Sequence, residues 1–310
     1  MSKISIVIPV YFNEDTLIPL YEDMKKVILP KLEHYEIVFV DDGSRDNSWK
    51  IMNDLREKDD NIKCVKLSRN FGEHAAILAG LHVCTGDCAV TKQADLQEDS
   101  SIILDMYESW KKGNKVVLAV RKERDENAVK KFFANMYYLI VRKMIDNKMP
   151  KGGCDCYLLD KQAINVLESL DEKNSSLTLQ VLWIGFQSDK IYFHRKDREI
   201  GKSRWTLAKK IKLVMDSVMS FTYIPIRFMS ICGFIMFLLS IISAIFIIIE
   251  KLTIGTPIQG YSSMMCVMLF SSGIILLMLG ILGEYIWRTL EAAKKRPPYI
   301  IDEIKQKEAE

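Results

Sequence analysis

The stretch "EIVFVDDGSRDNS", Glu36 to Ser48, sets the architecture to be expected of this chain. An unbroken apolar run ends abruptly in two acidic residues. Gly43 and Ser44 then supply a turn, and from Asn47 to Lys58 the pattern is helical. A strand that is apolar on both faces belongs inside a parallel sheet. The same unit recurs around it. "ISIVIPV", "IKCVKLS", "CAVTKQAD" and "KVVLAV" are further short apolar runs. Helical segments at Glu14–Leu29, Glu73–Cys84 and Ser100–Lys112 separate them. This alternation predicts an α/β domain with a mostly parallel sheet flanked by helices.

Ligands of such sheets gather at the carboxyl ends of the strands. The first strand end offers Pro9, Tyr11, Asn13 and Glu14, and the second offers Asp41, Asp42 and Ser44. Ser68, Arg69 and Asn70 follow the third, Gln93, Asp95 and Gln97 the fourth, and Arg121 the fifth. Polar groups thus converge on one edge.

Several classes are disfavoured. No Gly-x-Gly-x-x-Gly follows the first strand and no Gly-x-x-x-x-Gly-Lys-Ser/Thr occurs, which argues against dinucleotide and P-loop sites. The four histidines are scattered, without His-Glu-x-x-His, so a zinc hydrolase is not supported. A net charge of +3 gives no reason to expect a nucleic-acid partner. The seven cysteines show no Cys-x-x-Cys pair and read as reduced thiols in a cytosolic setting. "MSKISIVIPV" reads as a first strand, since it lacks the long apolar stretch of a signal peptide. What fits the acidic strand ends is a nucleoside on Asp41 or Asp42, with a diphosphate–metal unit near Asp95.

The last third differs. Phe228–Ile249 and Met264–Leu282 are uncharged runs, each long enough to cross a hydrocarbon core of about 30 Å. Lys202, Arg204, Lys209, Lys210, Lys212 and Arg227 precede them, and Arg288, Lys294, Lys295 and Arg296 follow. One lysine lies between. The positive-inside rule then puts the large domain and both termini in the cytoplasm. "RWTLAKKIKLVMDSVMSF" places Leu207, Ile211, Val214, Met215 and Val218 at a helical period, with Trp205 and lysines, as an interfacial helix would.

Together, "SIVIPVYFNED", "VDDGSRDNS", "LSRNFGEHAAILAGL", "ADLQ" and "REIGKSRW" resemble the family 2 glycosyltransferases that load sugar onto polyprenyl phosphate. The similar branch is that of the bactoprenol glucosyltransferases and dolichyl-phosphate mannose synthases. It covers essentially the whole chain. The resemblance implies a GT-A-like fold, a Mg²⁺ or Mn²⁺ cofactor, and inverting transfer from a nucleotide sugar to a lipid phosphate at the cytoplasmic leaflet of the plasma (inner) membrane. UDP-glucose is favoured by analogy. It further implies a nucleoside pocket at Pro9, Tyr11, Asn13, Glu14, Asp41, Asp42 and Arg69, and diphosphate–metal positions at Asp95 and Gln97. Arg121 matches a basic residue near the reacting phosphates, Asp155 an acidic position near the acceptor, and Arg198, Ser203 and Arg204 a basic acceptor loop.

The expected organisation is a catalytic domain at 1–200, an acceptor loop and juxtamembrane helix at 201–227, a membrane hairpin at 228–287 and a cytosolic tail at 288–310. A homo-oligomer is left open. A processive polysaccharide synthase is the runner-up, disfavoured because Gly201 stands where Gln-x-x-Arg-Trp needs its glutamine. A catalytically weak, nucleotide-sugar-binding homologue is the third reading. It is motivated by Gln93, where the family usually has the first Asp of Asp-x-Asp. The Gln carbonyl is still an acceptor, and substrate phosphates complete most Mg²⁺ sites. On sequence alone, Gln93→Asp should tighten metal binding, and truncation after Phe221 should leave a folded nucleotide-binding domain.

Overall fold

The computed structural model describes residues 2–122, 142, 150, 153–154, 156–170, 176–194, 216–222, 224–253 and 260–307. The chain divides into two compact units, Met1–Ser217 with Pro297–Glu310, and Val218–Arg296.

The first unit is built on an eight-stranded sheet in the order β7-β5-β6-β4-β1-β2-β3-β8. Its strands are β1 (Lys3–Val10), β2 (His34–Asp41), β3 (Ile62–Leu67), β4 (Cys88–Thr91), β5 (Val116–Arg121), β6 (Cys156–Asp160), β7 (Ser188–Phe193) and β8 (Ile301–Lys305). The helices α1 (Leu17–Val27), α2 (Ser48–Arg56), α3 (Glu73–Val83), α4 (Ile102–Lys111), α5 (Lys161–Ser169) and α6 (Leu177–Trp183) accompany it.

The five expected strands and four expected helices all form. Ile4 to Val10 are wholly buried, as a strand covered on both faces requires. In α1 the buried residues are Leu17, Leu20, Tyr21 and Met24, one stripe of a helix. α3 lies close on the sheet, because a Cβ at Gly80 would stand 2.3 Å from Val7 Cγ1. Only glycine permits that approach, and it brings the start of α3 to the strand-end edge.

β1 pairs in parallel with β2 and β4, β2 with β3, and β5 with β7. β6 runs antiparallel between β4 and β5. The carboxyl ends of β1 to β5 therefore share one edge. The order reverses at β1, whose neighbours β2 and β4 continue in opposite directions. A crevice outside such a switch point is where open α/β sheets bind ligands.

One difference from the sequence reading concerns the last residues. The segment set apart as a tail contains β8, which pairs antiparallel with β3. The Ser68 amide also donates to the Ile300 carbonyl at 3.0 Å. The first unit runs through Ser217 and takes the chain up again from Pro297.

The second unit carries two long apolar helices, α7 (Ile224–Thr253) and α8 (Tyr261–Ala293). Pro225–Ser243 and Phe270–Ala293 are long and apolar enough to cross a membrane, with mean hydropathies of 2.1 and 1.6. Phe234, Ile242, Phe246, Leu276 and Leu279 on these helices are exposed. The interfacial helix expected over 204–221 lies largely outside the described residues.

Candidate active site

Four loops meet at the switch-point edge, and hydrogen bonds link each to the next. After β1, the Phe12 amide donates to Ser44 Oγ at 3.0 Å and the Asn13 amide to Ser48 Oγ at 3.0 Å. Phe12 has φ 57, an uncommon value for a side-chain-bearing residue, so this turn is held by its contacts. Glu14 Oε2 accepts from both the amide and Nδ2 of Asn47, each at 2.9 Å. Glu14 therefore ties down the entry to α2, a use that its assignment to the nucleoside pocket did not anticipate. Tyr11 and Phe12 meet edge-to-face at 4.7 Å, and the Tyr11 amide donates to Asn13 Oδ1. Pro9 is buried within β1.

The second and third loops interlock through Asp42. Its Oδ1 accepts from the Phe71 amide at 2.7 Å and its Oδ2 from the Gly72 amide at 2.9 Å. Gly43, at φ 73, lies so close to the third loop that a Cβ would stand 2.7 Å from Arg69 C and Asn70 N. Burial pushes the Asp42 carboxyl up to about 6, against the pull of its two amide donors. Arg69 lies over the Phe71 ring at 4.1 Å.

Asp41 behaves differently. It is completely buried, and Oδ1 accepts from the Ser44 amide at 3.0 Å. Oδ2 has no hydrogen-bond partner among the described residues. Burial raises this carboxyl as well. An unsatisfied buried carboxylate oxygen costs on the order of 1–3 kcal/mol. The sequence left Asp41 and Asp42 as alternatives. The structure gives the loop-holding task to Asp42 and leaves an acceptor on Asp41.

The third and fourth loops meet through side chains. Gln93 Nε2 donates to Glu73 Oε1 at 2.6 Å. Asp95 Oδ1 accepts the Gln97 amide at 3.2 Å, and Leu96 between them has φ 59. Beneath this loop lies Lys92, 2% exposed, whose Nζ donates to the Glu98 carbonyl at 3.0 Å. That contact closes the loop that carries Asp95 and Gln97, both of them half-buried. Glu73 and Lys92 were missed in the sequence. The one signal for Lys92 was a lysine at the end of an apolar strand. Glu73 looked like an ordinary acidic residue in a first helical turn.

Arg121 ends β5 at the same edge. Asp155, Arg198, Ser203 and Arg204 lie outside the described residues.

Whether the site suits a divalent cation turns on its donors. Asp95, Gln97 and Gln93 offer only hard oxygen ligands, which is what Mg²⁺ and Mn²⁺ prefer. No group of three or more His, Cys, Asp or Glu side chains able to hold a metal occurs among the described residues. The donor set fits an ion that takes one carboxylate from the protein and its other ligands from phosphate and water.

Residues 5–168 match the family described as "Glycosyl transferase family 2", and residues 224–288 match "GtrB C-terminal hairpin". The chain belongs to glycosyl transferase family 2. Its relatives in this family match over nearly full length. The bactoprenol glucosyl transferase of Shigella phage SfV is 33% identical over 307 residues, covering 98% of this chain and all of that one (100%). An uncharacterized glycosyltransferase of Synechocystis sp. is 34% identical over 303 residues, covering 97% of this chain and 95% of that one. The prophage bactoprenol glucosyl transferase homolog of Escherichia coli is 31% identical, over 98% of this chain and 100% of that one. Among solved structures, the mannosyltransferase of Pyrobaculum calidifontis in complex with GDP-Man and Mn²⁺ has the same fold. Its TM-score is 0.51 at 15% identity, covering 68% of this chain and 60% of that one. The GT-A-like expectation is met. This family 2 protein is a glycosyltransferase, with a membrane-associating hairpin after its catalytic sheet.

Proposed function

We propose that the chain transfers a hexose from a nucleotide sugar, UDP-linked by preference, to a polyprenyl phosphate, with inversion at the anomeric carbon. One observation carries this reading. A strand-end edge with a buried acceptor at Asp41 and a carboxylate at Asp95 is followed in the same chain by an apolar hairpin, and bactoprenol glucosyl transferases are similar to this chain over nearly its full length.

Asp41 Oδ2 accepts from the nucleoside, while Asp42 keeps the second and third loops in the shape that surrounds it. Asp95, Gln97 and Gln93 would hold a divalent ion. When bound, that ion offsets charge on the diphosphate leaving group. Arg121 adds a cation near the same phosphates. The acceptor needs little help from a base. A phosphomonoester has a second pKa near 6 and is largely dianionic at neutral pH, so it attacks without deprotonation. The protein's main task is to bring two anions together, and fixed cations and dipoles do this at the transition state. Arg198, Ser203 and Arg204 are assigned to the incoming phosphate and Asp155 to the acceptor side.

The topology supports a hairpin that enters and leaves on one side. β8 lies in the same sheet as β1, which is what a hairpin with an even number of crossings requires. By the positive-inside rule, the cations at Arg227, Arg288, Lys294, Lys295 and Arg296 favour the cytoplasm for that side. The test is a screen of labelled UDP- and GDP-sugars for transfer into chloroform-extractable lipid. The reading requires acceptor-dependent label from a UDP-hexose. Label that appears only in water-soluble polymer would replace it with the polysaccharide-synthase reading.

A further inference from the structure

The contact between Gln93 and Glu73 fixes more than one side chain. A carboxylate accepts hydrogen bonds and cannot donate them, so the group of Gln93 that faces Glu73 must be its NH₂. The 2.6 Å contact from Nε2 to Oε1 is therefore the only orientation the chemistry allows. It follows that the Gln93 carbonyl oxygen is turned away from Glu73. Without that partner an amide can rotate by half a turn and present nitrogen in place of oxygen, and nitrogen as NH₂ cannot bind a cation.

Glu73 is itself held in place. It is the first residue of α3, directly after Gly72, whose amide is bound by Asp42. Close packing of Gly80 on Val7 seats the same helix against the sheet. Its carboxylate thus reaches Gln93 from a fixed base.

We propose that Glu73 is a positioning residue that makes Gln93 an oxygen ligand for the divalent cation of the nucleotide diphosphate. This rests on the function proposed above and deepens it. Glu73 and Gln93 are a matched pair. A neutral amide at 93 binds the Glu73 carboxylate. An aspartate at 93 is one methylene shorter, and it would set a second anionic carboxylate opposite Glu73 with no donor between the two. The sequence-based expectation that Gln93→Asp tightens metal binding is reversed while Glu73 is present.

The experiment uses the full chain in detergent and titrates Mn²⁺ in the presence of UDP, with free Mn²⁺ read by electron paramagnetic resonance. The proteins compared are wild type, Glu73→Gln, Gln93→Asp and the double variant. Each single substitution is expected to weaken Mn²⁺ binding about tenfold, the value of one charge-assisted hydrogen bond. The double variant should bind at least as tightly as wild type, because an amide at 73 can donate to an aspartate at 93. Unchanged thermal unfolding of Glu73→Gln separates positioning from loss of fold. Gln93→Asp alone binding Mn²⁺ more tightly than wild type, or purely additive effects, would overturn the pairing and leave the proposed transferase standing. A wild-type chain that binds UDP and transfers sugar but takes up no Mn²⁺ would overturn the metal assignment, and the pairing with it.

Discussion

Asp42 and Gly72 are joined across two loops by a 2.9 Å hydrogen bond from the Gly72 amide to Oδ2, and the neighbouring Phe71 amide completes the clasp on Oδ1. Because this carboxylate is buried, its pKa rises from 3.8 to about 6. The folded chain then holds a proton there more tightly than the unfolded chain. Stability from this group is fully present below about pH 4 and is lost as pH rises through about 6. Thermal unfolding of wild type and Asp42→Asn, compared from pH 4 to pH 6.5, should show a steeper loss of stability with rising pH in wild type than in the variant. Equal slopes would remove Asp42 as its source. Glu36 has the opposite sign. Burial pushes it up, but hydrogen bonds from Ser5 and Thr85 and the charge of Lys63 hold it below its usual range. The difference between the two proteins cancels that background.

Asp41 should matter to the ligand more than to the fold. Asp41→Asn keeps an acceptor for the Ser44 amide but puts NH₂ in place of the buried Oδ2, which has no partner among the described residues, and removes the charge. UDP binding measured by calorimetry should weaken about tenfold, while unfolding temperature holds or rises. Unaltered UDP affinity would take Asp41 out of the nucleoside site.

The strand β8 changes what truncation does. A chain cut after Phe221 loses β8 as well as the hairpin, and it leaves β3 as an open edge. Removal of 297–310 alone should lower the unfolding temperature by about 5 °C and favour aggregation through the bared edge. A variant in which a flexible linker replaces 222–296, so that β8 is kept, should fold and bind UDP. If the cut chain and the linked chain unfold alike, β8 contributes nothing to the domain.

The sheet was legible because its central strands are nearly continuous apolar runs and helices such as α1 carry a one-sided stripe. Strands that depend on distant partners were not. "IDEIK" is short and charged, and only its pairing with β3, more than two hundred residues earlier, makes it β8. β6 was read for the acidic residue before it, and its antiparallel insertion between β4 and β5 has no local signature. In the site, residue types at strand ends pointed to the right edge. They could not say that Glu14 and Asp42 spend their oxygens on neighbouring loops while Asp41 does not. That division depends on which amides lie within reach. The Glu73–Gln93 contact was equally hidden, since the two are twenty residues apart and meet because α3 packs on β1, the strand that pairs with β4.

Arg198 and Arg204 separate acceptor catalysis from simple membrane attraction. Arg contacts that hold the reacting phosphate strengthen as charge moves in the transition state. With a short, water-soluble prenyl phosphate in detergent, Arg198→Ala and Arg204→Ala are each expected to lower kcat about tenfold or more at saturating acceptor, with UDP binding retained. Wild-type kcat in both would assign these residues to anchoring.

The most direct test of the account is the product itself. Purified full-length chain is incubated with UDP-glucose, Mn²⁺ and a long-chain polyprenyl phosphate, and the lipid fraction and released nucleotide are followed together by mass spectrometry, with Asp95→Asn alongside. The account predicts one hexosyl-phosphate lipid formed for each UDP released, and loss of both in the variant with the fold intact. UDP released without a glycosylated lipid, or undiminished lipid product from Asp95→Asn in excess EDTA, would contradict it.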